Sequence, residues 1–314
     1  DIQPFASEYV PQMIEKIDKL LKNGFAYHKE DGIYFNSTKI DYGKFEKREL
    51  KEKEADFALW KFCEDESINQ IFDSKFGKGT PGWHIECTTM SYEILKDFDI
   101  HGGGIDLKYP HHENEIAQAE GLYEKIPSIW IHNEMINIKG DKMSKSLGNF
   151  WFIKDIIKNS FDADVFRYLV LSHHFQSIIE ISEEKFYQAR ETMKNIRIFY
   201  LNNTDKKIFN KEIDPKIVFS SLYNNFESPQ LLNEIFSYIK NNDIETLDFI
   251  LKSLGFFMHN LCNLSMDEIN SLINERNIAK NSKDYKKSDE LRKILEDNFV
   301  GIRDNLDKTT WYYF

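Results

Sequence analysis

The chain opens with apolar residues at helical spacing and then changes to a strand pattern. The helical stripe predicts one amphipathic helix that ends near Gly24. Residues 25–35 read as a β-hairpin that turns at Asp31-Gly32, and the heavily charged residues 42–56 read as a loop or an exposed helix. The stripe consists of Val10, Met13, Ile14, Ile17, Leu20 and Leu21.

Between residues 76 and 133 the pattern alternates between helical runs and short apolar strands such as 128–132. This alternation predicts an α/β fold with part of a doubly wound parallel sheet, and residues 135–138 read as a further strand. After Phe161 the pattern is helical almost throughout. Residues 202–215 read as a polar connection, 231–264 as a continuing helical bundle and 266–314 as a small terminal module. The core stripes are Val165, Phe166, Leu169, Val170, Phe186, Ala189, Met193 and Ile196.

Composition sets limits on the class of protein. With 314 residues, 41% of them apolar and 14% aromatic, the chain can form two or three domains with proper cores. Three irregularly spaced cysteines argue against a disulfide framework and favour a reducing compartment. No apolar run approaches the length of a membrane span, so no membrane association is expected.

A lysine-rich stretch carries the first chemical signal. Lys142 and Lys145 lie three residues apart in the string Lys-Met-Ser-Lys-Ser, which Gly140 precedes and Gly148 follows. Two flexible ammonium groups suit a multiply charged phosphate, and the hydroxyls of Ser144 and Ser146 can add hydrogen bonds to its oxygens. An exposed basic loop would explain an arbitrary Lys-x-x-Lys, but the full five-residue string is rare by chance.

A second set of residues suggests a metal site. Cys87 follows the start of one predicted helix, and Pro110 starts another that carries His111 and Glu115. Side chains four apart share a helix face, so His111 and Glu115 can converge with a thiolate on one point. Cysteine, histidine and carboxylate are zinc ligands. The spacing matches no compact zinc-finger pattern, and a core cysteine beside solvated polar residues remains the alternative.

Between these segments a short strand runs into His101 and three glycines, Gly102, Gly103 and Gly104, with Asp106 just beyond. The carboxyl ends of parallel strands are where open α/β sheets bind ligands. Glycines there would admit an adenine or a ribose, and Asp106 could accept hydrogen bonds from ribose hydroxyls. A tight turn would explain the glycines equally well.

Taken in order, these motifs resemble the cysteinyl-tRNA synthetase family of class I aminoacyl-tRNA synthetases. The resemblance rests on Trp-His-Ile-Glu-Cys at 83–87, His-Gly-Gly-Gly-x-Asp at 101–106, His-His-Glu-Asn-Glu at 111–115 and Lys-Met-Ser-Lys-Ser at 142–146. It extends to Thr309-Thr310-Trp311, which is similar to the usual terminus of the family. It implies ATP-dependent activation of L-cysteine and its transfer to tRNA(Cys).

The resemblance also implies roles for individual residues. One Zn²⁺ per chain would be held by Cys87, His111 and Glu115 and would bind the thiol of the substrate, and Trp83 and His101 would line that pocket. Lys142 and Lys145 would be catalytic and hold the ATP phosphates with Mg²⁺. The implied ATP-binding residues are His101, Gly102, Gly103, Gly104, Asp106, Lys142, Met143, Ser144, Lys145 and Ser146.

By the same resemblance, the Rossmann-like catalytic domain would be followed by an all-α bundle and a small anticodon-binding module, in a cytoplasmic monomer. The expected segments are a connective insertion with a helix and hairpin (1–75), the second half of the catalytic domain with its zinc site (76–134), a stem-contact region around the lysine loop (135–170), the bundle (171–264) and the anticodon-binding module (265–314).

The sequence departs from the family in one respect. It contains no His-x-Gly-His motif and no further zinc-binding cysteine upstream, and it begins with Asp rather than Met. We therefore expect a fragment that lacks the first half of the nucleotide-binding domain, and relatives to be longer around residues 42–56. The alternatives are a noncatalytic tRNA-binding remnant, a ligase that joins cysteine to a small amine, and a zinc hydrolase with Glu113 or Glu115 as base.

The net charge of −11 requires any RNA-binding cations to be gathered on one face. A terminal basic segment could provide that face, but its acidic neighbours make a salt-bridged helix pair equally consistent with the sequence. The cations of this basic segment are Arg276, Lys280, Lys283, Lys286, Lys287, Arg292 and Lys293.

Overall fold

The computed structural model describes residues 2–45, 55–63, 70–138, 140–143, 148, 151–204, 211–304 and 309–314, with the backbone alone at 141 and 142. The chain divides into two compact units, Asp1–Glu134 and Met135–Phe314. None of the helices in the described ranges is both long enough and apolar enough to cross a membrane.

The first unit begins with helix α1 (Val10–Lys22). Its apolar stripe packs inward, with Met13 and Ile17 fully buried, and the chain leaves the helix at Gly24, whose φ of +79° suits glycine. The predicted helix and its stop are confirmed.

An antiparallel sheet follows α1, with its strands in sequential order. The predicted hairpin is confirmed by its first two strands, which pair directly. Residues 46–54 of the charged segment lie outside the described residues, while residues 42–45 form a partly buried loop. The strands are β1 (Ala26–Lys29), β2 (Gly32–Phe35), β3 (Phe57–Phe62) and β4 (Gly79–Pro81).

The remainder of the first unit alternates between helices and strands, as the sequence predicted. Strands β5 and β6 pair in parallel, with His101 opposite Trp130 and Gly103 opposite His132. The helix expected at Pro110 starts three residues later, after a π-helical turn at Lys108–His112. The elements are α2 (Trp83–Leu95), β5 (Ile100–Gly104), α3 (Glu113–Leu122) and β6 (Ile129–Asn133).

The second unit opens with a small sheet in the order β8-β7-β9, formed by β7 (Ile136–Ile138), β8 (Asp141–Lys142) and β9 (Ile179–Ile181). The strand expected at 135–138 is confirmed, whereas β9 interrupts a region that the sequence pattern assigned to helices. Strand β9 pairs in parallel with β7.

Helices build the core of the second unit. Most residues of both predicted stripes lie in this core. Met193 and Val165 are fully enclosed, whereas Phe166, Val170 and Phe186 are partly buried. The helices are α4 (Ile153–Ile156), α5 (Ser160–Leu171), α6 (Glu183–Thr204), α7 (Pro215–Val218), α8 (Ser220–Tyr223), α9 (Ser228–Lys240) and α10 (Ile244–Ser253).

The helical pattern expected over 231–264 ends early, because α10 ends at Ser253, although Phe256 and Met258 remain part of the same core. A buried arginine and a buried aspartate bind the following backbone instead. Arg197 donates to the carbonyls of Phe257 and His259, each at 2.6 Å, and the Phe257 N–H donates to Asp164 at 2.9 Å. These side chains replace the hydrogen bonds that a helix would make within itself.

The chain ends in helices α11 (Met266–Asn281) and α12 (Tyr285–Asp297) and a hairpin of β10 (Val300–Asp304) and β11 (Thr309–Tyr313). Arg276 is 4% exposed and donates to both carboxylate oxygens of Asp304 at 2.6 and 2.7 Å. Lys280 binds the same carboxylate at 2.7 Å. Arg292 pairs with Glu296 at 3.3 Å. At least three cations of the basic segment thus form salt bridges within the protein, and Trp311 packs against the core of this region.

Candidate metal centre

Helix α2 and the start of α3 bring Cys87, His111 and Glu115 together. Their ligand atoms all lie within 4.8 Å of one another. His111 and Glu115 are four residues apart on one helical face, and Cys87 approaches them from the second turn of α2. Tetrahedral zinc ligands lie about 3.5 Å apart, given bonds of 2.0–2.3 Å, so small side-chain adjustments would close this set around an ion.

Glu115 is the central acid of this cluster. Its side chain is 5% exposed, with Oε1 2.8 Å from His111 Nε2 and Oε2 3.5 Å from His101 Nε2. Oε1 is nevertheless buried without accepting a hydrogen bond. A second group of possible ligands, His101, His112 and Glu115, shares the same carboxylate. A buried carboxylate oxygen that lacks a proton donor fits a bound cation.

His84 contacts the other nitrogen of His111. The two Nδ1 atoms are 2.7 Å apart, so one of them must carry the proton. When His111 donates to His84, the Nε2 atom of His111 keeps its lone pair for a metal. Metal-binding imidazoles commonly donate their second N–H in this way, so His84 can fix both the tautomer and the orientation of His111.

Burial keeps the surrounding groups neutral at pH 7. It lowers the pKa of His84 to about 4, with His111 adding to the effect, and together with nearby imidazoles it lowers the pKa of His112 to about 3. Burial, followed by the charges of Glu115 and Glu86, raises the pKa of the Cys87 thiol to about 12. An imidazole binds a metal in its neutral form. A bound cation would lower the pKa of the Cys87 thiol again, because its charge stabilises the thiolate.

A row of rings from the parallel strands lies beside the cluster. His101 stacks on Trp130 with ring centroids 4.5 Å apart, and His132 Nε2 lies 2.8 Å from His112 Nδ1. Gly103 makes this arrangement possible, because a Cβ there would come within 2.7 Å of the His112 ring. The glycine is therefore required by the close approach of an imidazole.

The remaining residues predicted to bind cysteine or ATP differ in exposure and in the element on which they lie. Trp83 starts α2, is 60% exposed, and its ring centroid is 4.4 Å from that of His111. Gly102 and Gly104 lie in β5, and Asp106 is exposed in the turn that follows. Met143 is partly buried after β8. Lys142 is described by its backbone alone, and Ser144, Lys145 and Ser146 lie outside the described residues.

Sequence reasoning did not assign roles to His84, Trp130 and His132. The sequence pattern could have indicated Trp130 and His132. They are alternate residues of the strand predicted at 128–132, and alternate residues share one face of a sheet. For His84, helical spacing places it three residues before Cys87, which puts both side chains on one side of α2.

Glu113 is committed to the backbone. Its side chain is 1% exposed and accepts hydrogen bonds from the N–H groups of Gly43 and Lys44, both at 2.8 Å, and of Phe45 at 3.0 Å. A buried carboxylate bound to three backbone donors offers no exposed oxygen to a water molecule. The alternative of a hydrolase with Glu113 as its base is therefore disfavoured.

Comparison with known proteins first defines the class. Residues 1–191 match the family model for the catalytic domain of class I (C) tRNA synthetases. The fold resembles that of methionyl-tRNA synthetase from Mycobacterium tuberculosis, solved in complex with methionyl-adenylate, with a TM-score of 0.50 at 14% identity over 86% of this chain and 65% of that one. The fold is therefore that of the class I tRNA synthetases, which are mixed helix and sheet proteins with a Rossmann-like catalytic domain.

Relatives over nearly the whole chain identify the family. The cysteine--tRNA ligase of Coxiella burnetii is 36% identical over 99% of this chain and 76% of its own length. That of Brachyspira hyodysenteriae is 33% identical over the same shares. The chain belongs to the cysteine--tRNA ligase family, whose members are ATP-dependent aminoacyl-tRNA ligases.

Proposed function

We propose that this protein activates L-cysteine with ATP to form cysteinyl-adenylate and pyrophosphate and then transfers the cysteinyl group to tRNA(Cys). The observation that carries the proposal is the convergence of Cys87, His111 and Glu115, in which a buried carboxylate oxygen lacks a donor. Membership of the cysteine--tRNA ligase family supports the same chemistry.

In this proposal Cys87, His111 and Glu115 hold one Zn²⁺. When bound, that ion supplies a selective ligand position for the thiolate of cysteine, which the hydroxyl of serine fills poorly. An apolar pocket alone would reject serine weakly, because the two substrates differ by one atom. Trp83 and His101 form the walls of the substrate pocket, and His84 fixes the tautomer of His111.

For the nucleotide, we assign His101, Gly102, Gly103, Gly104 and Asp106 to the adenosine part of ATP. Lys142 and Lys145, with Met143, Ser144 and Ser146, bind the phosphates together with Mg²⁺. The cysteine carboxylate attacks the α-phosphorus, the bond to the β-phosphate bridging oxygen breaks, and pyrophosphate leaves. Catalysis consists of positioning the reactants and stabilising the charge that develops on the phosphates.

We further assign residues 1–75 to the connective insertion, 76–134 to the second half of the Rossmann-like domain and 135–170 to the tRNA stem contact. Residues 171–264 form the helical bundle, which braces the tRNA, and residues 265–314 bind the anticodon. The proposed protein is a cytoplasmic monomer.

The deciding experiment is cysteine-dependent exchange of pyrophosphate into ATP, measured on the complete product of the gene after loading with Zn²⁺. We expect exchange with cysteine and little with serine, followed by acylation of tRNA(Cys). Exchange that does not discriminate between the two amino acids, or that is absent despite bound metal, would contradict the proposal. Acylation of a small amine instead of tRNA would favour the rival ligase.

The lysine loop is tested separately from the metal. Lys145→Ala should lower the rate of adenylate formation by a factor on the order of 10²–10³, as loss of one transition-state contact does, while metal content stays at the wild-type level. Equal loss of metal and activity would contradict a phosphate-binding role for this lysine.

A further inference from the structure

Three polar side chains of α3 bind one short segment of the connecting loop. Residues 43–45, here called the amide loop, present three successive N–H groups to the Glu113 carboxylate. The hydroxyl of Tyr42, just before the loop, donates to Asn114. Lys44 forms an ion pair with Glu120 at 2.5 Å. Helix α3 and the turn before it therefore carry the metal-ligand candidates His111 and Glu115 together with the residues that fix this loop.

Glu113 is the contact that the loop cannot replace. Successive backbone N–H groups that point at one centre form a concave anion-binding site, and here the protein fills that site with its own carboxylate. Glu113 is 1% exposed, and its hydrogen bond from the Gly43 N–H is buried, whereas those from Lys44 and Phe45 are partly buried. Removal of the carboxylate would therefore leave at least the Gly43 donor without access to water. The Lys44–Glu120 pair, by contrast, is partly exposed, with 33% and 28% of the two side chains accessible.

The amide loop ends in an aromatic ring that supports the rings beside the metal cluster. Phe45 packs edge-on against Trp130, with centroids 5.3 Å apart, and against His132 at 5.4 Å. The opposite neighbour of Trp130 is His101, stacked at 4.5 Å. His101 in turn lies 3.5 Å from Glu115. A continuous set of contacts therefore joins Glu113 to the pocket through the loop.

We propose that Glu113 is a positioning residue of the cysteine pocket. It holds the amide loop so that Phe45 fixes Trp130, and Trp130 fixes the imidazole of His101 against the substrate. Glu113 is not among the residues assigned to the metal or to ATP, although its contacts lead to His101, which is assigned to both cysteine and ATP. The role rests on the proposed function, because the pocket is assigned to cysteine there. The Glu-Asn pair between the candidate ligands His111 and Glu115 thereby gains a physical explanation.

The test compares Glu113→Gln with Glu120→Gln in the zinc-loaded complete protein. Glutamine keeps the size of Glu113 but turns an N–H₂ group toward one of the three loop N–H donors. We expect the KM for cysteine in pyrophosphate exchange, and the Kd for cysteine by calorimetry, to rise about tenfold, the size of one lost charged hydrogen bond. The zinc content should stay unchanged. The KM for ATP should rise less than the KM for cysteine, because His101 is only one of five residues assigned to the adenosine part of ATP. Glu120→Gln, which removes a contact to the same loop, should match the wild type.

A double-variant cycle separates positioning from general destabilisation. Phe45→Leu retains the backbone donors of the loop but removes the ring, so it should raise the KM for cysteine by itself. Adding Glu113→Gln to that variant should then have little further effect, because both changes break the same path. Effects that simply multiply would overturn the proposal, as would a Glu113→Gln protein with wild-type affinity for cysteine.

These outcomes distinguish the two proposals. If the wild-type protein neither binds nor activates cysteine, the proposed function fails, and the positioning role fails with it. If the wild-type protein is active and selective but Glu113→Gln behaves like Glu120→Gln, the positioning role alone is wrong. A rise in the KM for ATP equal to that for cysteine would also count against it, since a general loss of structure would affect both substrates.

Discussion

Each unit of the molecule buries an acid, and the two acids have different surroundings. In the second unit Asp164 is fully buried with Arg197, whose Nη1 atom is 3.6 Å from the carboxylate. In the first unit Glu115 is buried among imidazoles and the Cys87 thiol. Each acid has one buried oxygen that accepts no hydrogen bond, Asp164 Oδ2 and Glu115 Oε1. The difference is that, among the described side chains, no lysine or arginine pairs with Glu115.

This difference shows that a buried charge does not by itself mark a functional site. Where the chain supplies the countercharge, as Arg197 does, the pair serves to hold structure, here the backbone at Phe257 and His259. Where the chain supplies metal-ligand side chains instead, a bound ion can provide the positive charge that the chain does not. Ligand type around the acid therefore separates the two cases.

The largest expected effect comes from breaking the structural pair. Arg197→Met should lower the free energy of unfolding of the second unit by about 4 kcal/mol, because it leaves Asp164 buried without its partner. Zinc content should not change. Arg190→Met is the matched control, since its partner Asp162 forms an ion pair in which the arginine is 35% exposed. Urea denaturation of both variants measures the difference, and equal losses would mean that burial does not matter here.

A pH series tests the same pair. Burial raises the pKa of Asp164 to about 6, although Arg197 and the Phe257 N–H oppose the rise. A raised pKa means that the folded state binds the proton more tightly, so stability should fall as pH rises from about 4 to about 6, by about 3 kcal/mol. Urea denaturation should show that Asp164→Asn removes this component, whereas the exposed Asp155→Asn retains it. An unchanged pH profile in Asp164→Asn would contradict the assignment.

Removal of Glu115 tests the role of the buried acid in the first unit. Glu115→Gln should weaken zinc binding by about a hundredfold or more, as expected for loss of a ligand that also supplies charge. Competition with a chromophoric chelator measures the affinity. Glu120→Gln, more than one turn further along α3, is the control. Retention of wild-type affinity in Glu115→Gln would remove the distinction between the two buried acids.

The smallest effect is expected at His84. His84→Leu removes the acceptor for His111 Nδ1 and should weaken zinc binding about tenfold. His84→Asn places an amide oxygen near the former Nδ1 position and should restore much of the affinity. Similar losses in both variants would indicate a packing role. The same chelator competition can be used for all of these variants.

Local patterns predicted most elements, whereas several contacts depend on distant residues. The stripe from Val10 to Leu21 was sufficient for α1, and Asp31-Gly32 for the hairpin. The end of α10 at Ser253 was not predictable, because the backbone that follows it is bound by Arg197 and Asp164, which are distant in sequence. Strand β9 was missed because three residues carry too little periodicity to compete with flanking helical patterns.

At the metal centre, the sequence motifs predicted the ligand residues but not the residues that hold them in place. His111 and Glu115 could be placed on one face from their spacing alone. The contact between His84 and His111 joins two helices, and Trp130 reaches His101 only through strand pairing. Glu113 illustrates the limit most clearly, because the same residue read as a candidate base in the sequence and proved to be the acceptor for three backbone donors.

The Asp304 cluster in the terminal region has a consequence for counterions. The basic segment contains seven cations in the sequence, but Arg276 and Lys280 share the Asp304 carboxylate. Cations neutralised inside a protein release no condensed ions when a polyanion arrives. Because one carboxylate cancels one positive charge, the logarithmic dependence of RNA affinity on salt at this surface should be shallower by roughly 0.7 than seven free cations would give, at about 0.7 per phosphate on a single strand. The number of lysines and arginines in the basic segment therefore overstates the positive charge that an RNA would meet at this surface.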